Sequence, residues 1–176
     1  LFSLFKLLGY RIASEFGCFL GKTFGPLIKP KEIIKKNLIK FDNSLTPEKI
    51  ANITNEMWGN YGRILSEYPF IGDFRKGDLN RFIKIENIEK LDEIKKGQPV
   101  IFVSGHFSNF ELMSMEITKN KIKLATIYRP LNNIFLNPFM EYLRKKYICE
   151  NQIKKGLNGV RESIDLLKKN VSIALM

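Results

Sequence analysis

The one histidine of this chain lies in the run Val103-Ser104-Gly105-His106-Phe107-Ser108-Asn109-Phe110-Glu111, between an apolar stretch and an amphipathic one. A neutral imidazole accepts a proton from a hydroxyl, and a nearby carboxylate fixes its tautomer and stabilises the imidazolium that forms. His106 and Glu111 are therefore candidates for a general-base pair. On a single helix a spacing of five sets two side chains about 140° apart. They meet only if His106 lies in a loop and Glu111 reaches back from the first helical turn. Ser108-x-x-Glu111 predicts that break as a capping box, with Ser108 as the cap and His106 two residues ahead of it. Gly105 lets the backbone turn tightly or a substrate come close. The N-terminus of the helix opposes protonation of the imidazole, Glu111 favours it, and the exposed N–H groups there suit an oxyanion or phosphate. The plain alternative makes Glu111 a capping residue only and His106 a polar residue at a strand end.

Periodicity predicts the elements that position these residues. Residues 99–104 are apolar and read as a strand, 108–120 as a helix and 121–128 as a strand. Helices follow over 134–146 and 157–169, and 171–175 reads as a buried strand. Upstream, Phe82-Ile83-Lys84-Ile85-Glu86 alternates like a strand, and 88–96 reads as a short helix ended by Gly97. This alternation implies an α/β fold with a largely parallel central sheet flanked by helices. Ligands of such sheets bind beyond the carboxyl ends of the strands, which is where His106 falls. Residues 1–80 read as a helical N-terminal arm and 81–176 as the α/β core, one domain overall. Within the arm, Leu1, Phe5, Leu8, Ile12, Phe16 and Phe19 form an apolar stripe on a helix over 1–24. That stripe fits a core-packing helix, a helix lying in a membrane interface, or a clipped membrane anchor. Pro26 and Pro30 break it. Residues 31–41 read as a basic helix. Thr46-Pro47-Glu48-Lys49 is a capped start for another, running to about Glu67 and ended by Pro69.

Composition narrows the function classes. Among 176 residues, 29 Lys+Arg stand against 18 Asp+Glu, a net charge of +11, with 44% hydrophobic and 27% charged residues. That balance is globular rather than disordered. Two cysteines, Cys18 and Cys149, exclude a disulfide scaffold. A single histidine and the absence of CxxC exclude the common zinc sites, so no metal is expected, and a hydrolase metal set of His106, Glu111 and Glu116 is meagre. No uncharged apolar run is long enough for a transmembrane helix, and no secretory signal pattern appears. The chain starts at Leu1 and stops just after an apolar strand, which reads as a fragment lacking its C-terminal part, because parallel strands are covered on both faces. Cys149 lacks the shelter of a reactive thiol, and Ser104 lacks a G-x-S-x-G elbow. The positive charge fits anionic lipid headgroups, an acidic protein or nucleic acid. Its basic pairs are spread over many helix ends, and most phenylalanines fall on apolar stripes. Both features argue against a nucleic-acid-binding module, the competing reading of another class.

Residues 104–111 resemble the H-x4-D/E block of the lysophospholipid acyltransferase superfamily. The Asn-aromatic-Glu ending is similar to the bacterial lipid A biosynthesis acyltransferases, the lauroyl and myristoyl transferases. Tyr128-Arg129-Pro130-Leu131-Asn132-Asn133 resembles a second block of that family, and Arg144, fifteen positions after Arg129, a further basic position. Trp58-Gly59-Asn60-Tyr61-Gly62-Arg63 is similar to its upstream helix, and 155–176 to the stretch before its Asp-Gln motif. Nearly the whole chain is covered, with the blocks in order. Phe110 stands where Trp is common, Ser108 where Gly is frequent, and the Asp-Gln motif would begin just after Met176. The resemblance implies transfer of a fatty acyl chain from an acyl carrier protein thioester to a hydroxyl of a lipid A precursor, without an acyl-enzyme or a bound cofactor. It implies His106 as the base, Glu111 as its orienting partner, and Arg129 and Arg144 as oxyanion or phosphate binders, with Ser108 and Asn109 in support. The partners implied are acyl carrier protein, an anionic glycolipid and the cytoplasmic face of a bacterial inner membrane. Another glycolipid or a lysophospholipid is the alternative acceptor.

Overall fold

A computed structural model of the chain describes residues 2–28 and 31–175. Leu1 of the apolar stripe, Pro30 of the break and the terminal Met176 lie outside the described residues. The chain forms two compact units, Leu1–Phe70 and Ile71–Met176.

The first unit is helical. Helices α1 (Phe2–Leu8) and α2 (Tyr10–Phe24) replace the single helix expected over 1–24. Gly9 separates them with a φ of 78°, a left-handed conformation that glycine adopts freely. Helix α3 (Lys31–Phe41) and helix α4 (Pro47–Glu67) follow as read, and the Oγ1 of Thr46 accepts a hydrogen bond from the Lys49 N–H at the start of α4. The 3-10 turn Tyr68–Phe70 closes the unit.

The apolar stripe does not form the core. Phe5 is buried, but Ile12 and Phe19 are 61% and 62% exposed. Helix α2 instead buries Ala13, Ser14, Gly17 and Cys18. Small residues win this face because α2 and α4 approach backbone to backbone. A Cβ on Gly62 would fall inside contact distance of the Gly17 carbonyl oxygen. Gly62→Ala is therefore expected to cost about 1–3 kcal/mol through overpacking. A lowered urea midpoint checks this, and an unchanged midpoint would contradict so close a crossing. Buried Glu67 accepts hydrogen bonds from Ser14 Oγ at 2.7 Å and Tyr10 Oη at 3.3 Å. Burial, and then the Glu67 charge, push the Tyr10 phenol up to about 12.

The second unit is the expected α/β structure. Helix α5 (Ile71–Lys76), the turn Asn80–Phe82 and helix α6 (Glu89–Lys96) lead into strand β1 (Ile101–Val103). Then come α7 (Glu111–Lys119), β2 (Leu124–Tyr128), α8 (Leu136–Leu143), a π-helical turn Arg144–Ile148, β3 (Asn151–Lys154), α9 (Leu157–Lys168) and β4 (Ser172–Leu175). The four strands are all parallel in the order β1-β4-β2-β3. Ala125, Ile153, Val171 and Ile173 form the sheet core, against which Leu166 and Leu167 of α9 pack.

One strand is misplaced by pattern alone. Residues 82–86 form no strand, and their side chains are exposed or half-buried. Alternation marks a strand only where a neighbour pairs with it and one face is buried. The sheet takes β3 instead, whose Asn151-Gln152-Ile153-Lys154 buries only Ile153.

Candidate active site

Because the strands are parallel, their carboxyl ends lie along one edge of the sheet, and the candidate residues gather there. The Ser104 N–H donates to the Leu175 carbonyl at 3.0 Å, extending the β1–β4 ladder by one residue. The chain then leaves the sheet. Phe107 N–H turns back to the Gly105 carbonyl at 2.9 Å, and Ser108 takes a φ of 46°. His106 is exposed on this loop, its ring packed on Phe110 with centroids 4.5 Å apart.

The local reading of the helix start needs correction. Helix α7 begins at Glu111, its N-cap residue is Phe110, and no side chain caps it. Ser108 is left-handed rather than extended, so the capping box does not form. Glu111 is buried, and its Oε1 accepts from Arg144 twice, from Nε at 2.8 Å and from Nη2 at 2.6 Å. Both partners of these bonds are charged and two donors meet one oxygen, so the carboxylate goes to Arg144 rather than to the helix start. Asn109 contributes its carbonyl to the first turn, accepting from the Leu112 N–H at 3.1 Å.

Glu111 and Arg144 are thus brought together, while among the described residues no hydrogen bond joins His106 to Glu111. Arg144 was expected at an oxyanion or phosphate. Its Nε and Nη2 are engaged by Glu111, its side chain is only 14% exposed, and its guanidinium lies 5.8 Å from the centroid of the Tyr128 ring. Arg129, by contrast, is exposed just beyond β2. Since β4 stands between β1 and β2, Arg129 and His106 sit on strand ends roughly 10 Å apart.

Two further features were not legible in the sequence. The Tyr128 hydroxyl donates to Glu141 Oε1 at 2.6 Å, Asn137 Nδ2 donates to the same oxygen at 2.8 Å, and Asn137 Oδ1 accepts from the Leu131 N–H at 2.7 Å. This chain fixes the Arg129-Pro130-Leu131 turn to α8. Burial and the bond to Glu141 raise the Tyr128 phenol well above its ordinary range, while the bonds from Tyr128 and Asn137 hold Glu141 below its own. Asn133 Oδ1 accepts from the N–H groups of Phe135 and Leu136, both at 3.0 Å, and so starts α8. Secondly, β3 delivers Lys154 and Lys155 to the same edge, where Lys155 N–H donates to the Tyr128 carbonyl at 2.9 Å. Sequence spacing carries no signal for the second feature until β3 is placed.

Other chemistry finds no support in the geometry. Cys149 is buried, and desolvation pushes its thiol up to about 11, far from a nucleophile's range. Glu116 pairs with Lys119 at 2.7 Å, and no metal-ligating cluster occurs among the described residues. Beside His106, the side chains of Ile101 and Val103 share one face of β1 and are exposed, as is Phe107. Over residues 1–176 the chain matches the family model described as bacterial lipid A biosynthesis acyltransferase. Comparison with curated proteins found no match.

Proposed function

The chain belongs to the bacterial lipid A biosynthesis acyltransferase family, and from that premise we propose that it moves a fatty acyl group from an acyl carrier protein thioester to a hydroxyl of a lipid A precursor. The observation that carries this reading is the exposed His106 imidazole just beyond the carboxyl end of β1, on the sheet edge where exposed Arg129 also follows β2.

In this reading His106 takes the proton of the acceptor hydroxyl as its oxygen attacks the thioester carbonyl. The tetrahedral oxyanion collapses to the ester, the carbon–sulfur bond breaks, and the leaving thiolate takes the proton from the imidazolium. Glu111 orients the imidazole and stabilises its charged form, and the dyad tightens as the acceptor is seated. Arg144 holds Glu111 in position. Arg129, with Lys154 and Lys155 on the same edge, meets the phosphate of the acceptor or of the carrier's phosphopantetheine. The acyl chain enters along Ile101, Val103 and Phe107.

The first unit supports a peripheral place on the cytoplasmic face of a bacterial inner membrane. No helix among the described residues is long and apolar enough to cross a bilayer. Leu7, Ile12, Phe19, Leu27 and Ile28 are exposed, as are Lys6 and Arg11. Large exposed apolar residues beside basic ones suit an anionic lipid interface.

The test is direct. The intact protein is incubated with labelled acyl carrier protein thioester and a lipid A precursor, and the label is expected in the lipid. Label in another glycolipid or a lysophospholipid would change the acceptor. Label remaining on the carrier with every acceptor would remove acyl transfer itself.

A further inference from the structure

At the opposite edge of the sheet, the amino ends of β2, β3 and β4 border a cavity of about 830 Å³. Lys123 precedes β2, Glu150 precedes β3 and Val171 precedes β4, and all three line it. In a parallel sheet this edge faces away from the strand ends that carry His106 and Arg129. Nothing in the acyl-transfer reading uses it.

Its charge is one-sided. Arg75, Lys123, Lys145 and Lys146 line the cavity against one carboxylate, Glu150. Among the described residues none of the four cations takes part in an ion pair. Two are held in place by neutral groups instead. Half-buried Arg75 donates through Nη1 to Thr118 Oγ1 at 2.6 Å and to the Met115 carbonyl at 3.4 Å. Lys146 Nζ donates to the Tyr142 hydroxyl at 2.8 Å and lies 5.2 Å from the ring centroids of both Tyr142 and Tyr147. Neutral acceptors orient a cation without cancelling its charge. Four like charges around one concavity repel each other until an anion enters.

We propose that this cavity binds a phosphate-bearing ligand at a second site, separate from the reactive edge. A guanidinium and ammonium groups match phosphate oxygens in charge and hydrogen bonding. The volume falls in the range of about 300–1,000 Å³ typical of sites for organic ligands, well beyond a lone phosphate. The wall formed by Tyr142, Tyr147 and Ile122 accepts the less polar body that carries it. A soluble phosphate ester and a phospholipid headgroup present the same chemistry.

The experiment measures binding rather than turnover, so it stands apart from the acyltransferase reading. Intact protein is titrated with pyrophosphate by calorimetry, and separately sedimented with phosphatidylcholine vesicles with and without phosphatidic acid. The variants are the pair Lys123→Glu/Lys145→Glu, the exposed control Lys90→Glu, and His106→Ala. All three lysines are exposed, so charge reversal leaves the fold intact. The paired reversal is expected to weaken binding about tenfold or more, with Lys90→Glu and His106→Ala unchanged. Loss with pyrophosphate assigns a soluble ester, and loss confined to phosphatidic acid vesicles assigns a headgroup. Binding by neither probe, equal loss with Lys90→Glu, or loss with His106→Ala would overturn the second site.

Discussion

Alanine at position 106 is expected to reduce acyl transfer about 100- to 10,000-fold, the range supplied by a positioned general base. The loss should appear in kcat and in kcat/KM alike, because the imidazole acts on a proton that moves only in the transition state. Stability should hardly change. The His106 ring is exposed on an irregular loop and meets Phe110 by one tilted contact, so its removal opens no cavity. The measurement pairs steady-state transfer from labelled carrier protein with a urea midpoint on the same preparation. Equal transfer by both proteins would sink His106 as the base. A collapse of both activity and midpoint would make it a structural residue instead. Phe107 offers a useful contrast. It is 79% exposed beside the histidine, so Phe107→Ala tests the proposed acyl path and should act mainly on the use of long acyl donors.

What the sequence revealed of this site, and what it hid, follows from the range of the interactions. The loop bearing His106 was legible because a strand, a glycine and a helix succeed one another within a dozen residues, and each leaves a local mark. The start of α4 was legible for the same reason, since Thr46 and Pro47 act within one helical turn. The partner of Glu111 was not. A capping box is a local pattern, and Ser108-x-x-Glu111 satisfies it, yet the carboxylate bonds to Arg144, thirty-three positions away. A charged, buried group follows its strongest partner, and that partner is set by the packing of α7 against the π-helical turn. Strand β3 hid in a similar way. An edge strand with one buried residue, Ile153, carries almost no period-two signal, while residues 82–86 carry the signal without a neighbouring strand. With β3 unread, the arrival of Lys154 and Lys155 at the reactive edge was concealed. The apolar stripe of α2 misled by size: close helix crossing selects the small face, so Ala13 and Gly17 are buried and Phe19 is left outside.

Breaking the pair between Glu111 and Arg144 is expected to have the largest effect on stability. The two side chains are 4% and 14% exposed and joined by two charge-assisted hydrogen bonds to one oxygen. Removing either partner leaves the other charge buried without its main compensation, which costs about 3–5 kcal/mol. Glu111→Ala and Arg144→Ala should each lower the free energy of unfolding by about that much. The double variant should lose far less than the sum, because the second substitution removes the stranded charge. Urea unfolding of the four proteins gives the coupling directly, and additive losses would show that the pair does not act as a unit. The cycle also decides how activity data are to be read. Glu111 follows the histidine loop and starts α7, so its loss would disturb the loop geometry even if the carboxylate never met the imidazole. Glu111→Gln keeps the size and one acceptor oxygen for Arg144 but removes the negative charge. If the carboxylate stabilises the imidazolium, Glu111→Gln should lower kcat well beyond what its measured loss of stability explains, with Arg144→Ala affecting stability more than the chemical step. If Glu111 only anchors the helix, the activities of Glu111→Gln and Arg144→Ala should instead fall together, in step with the fraction folded.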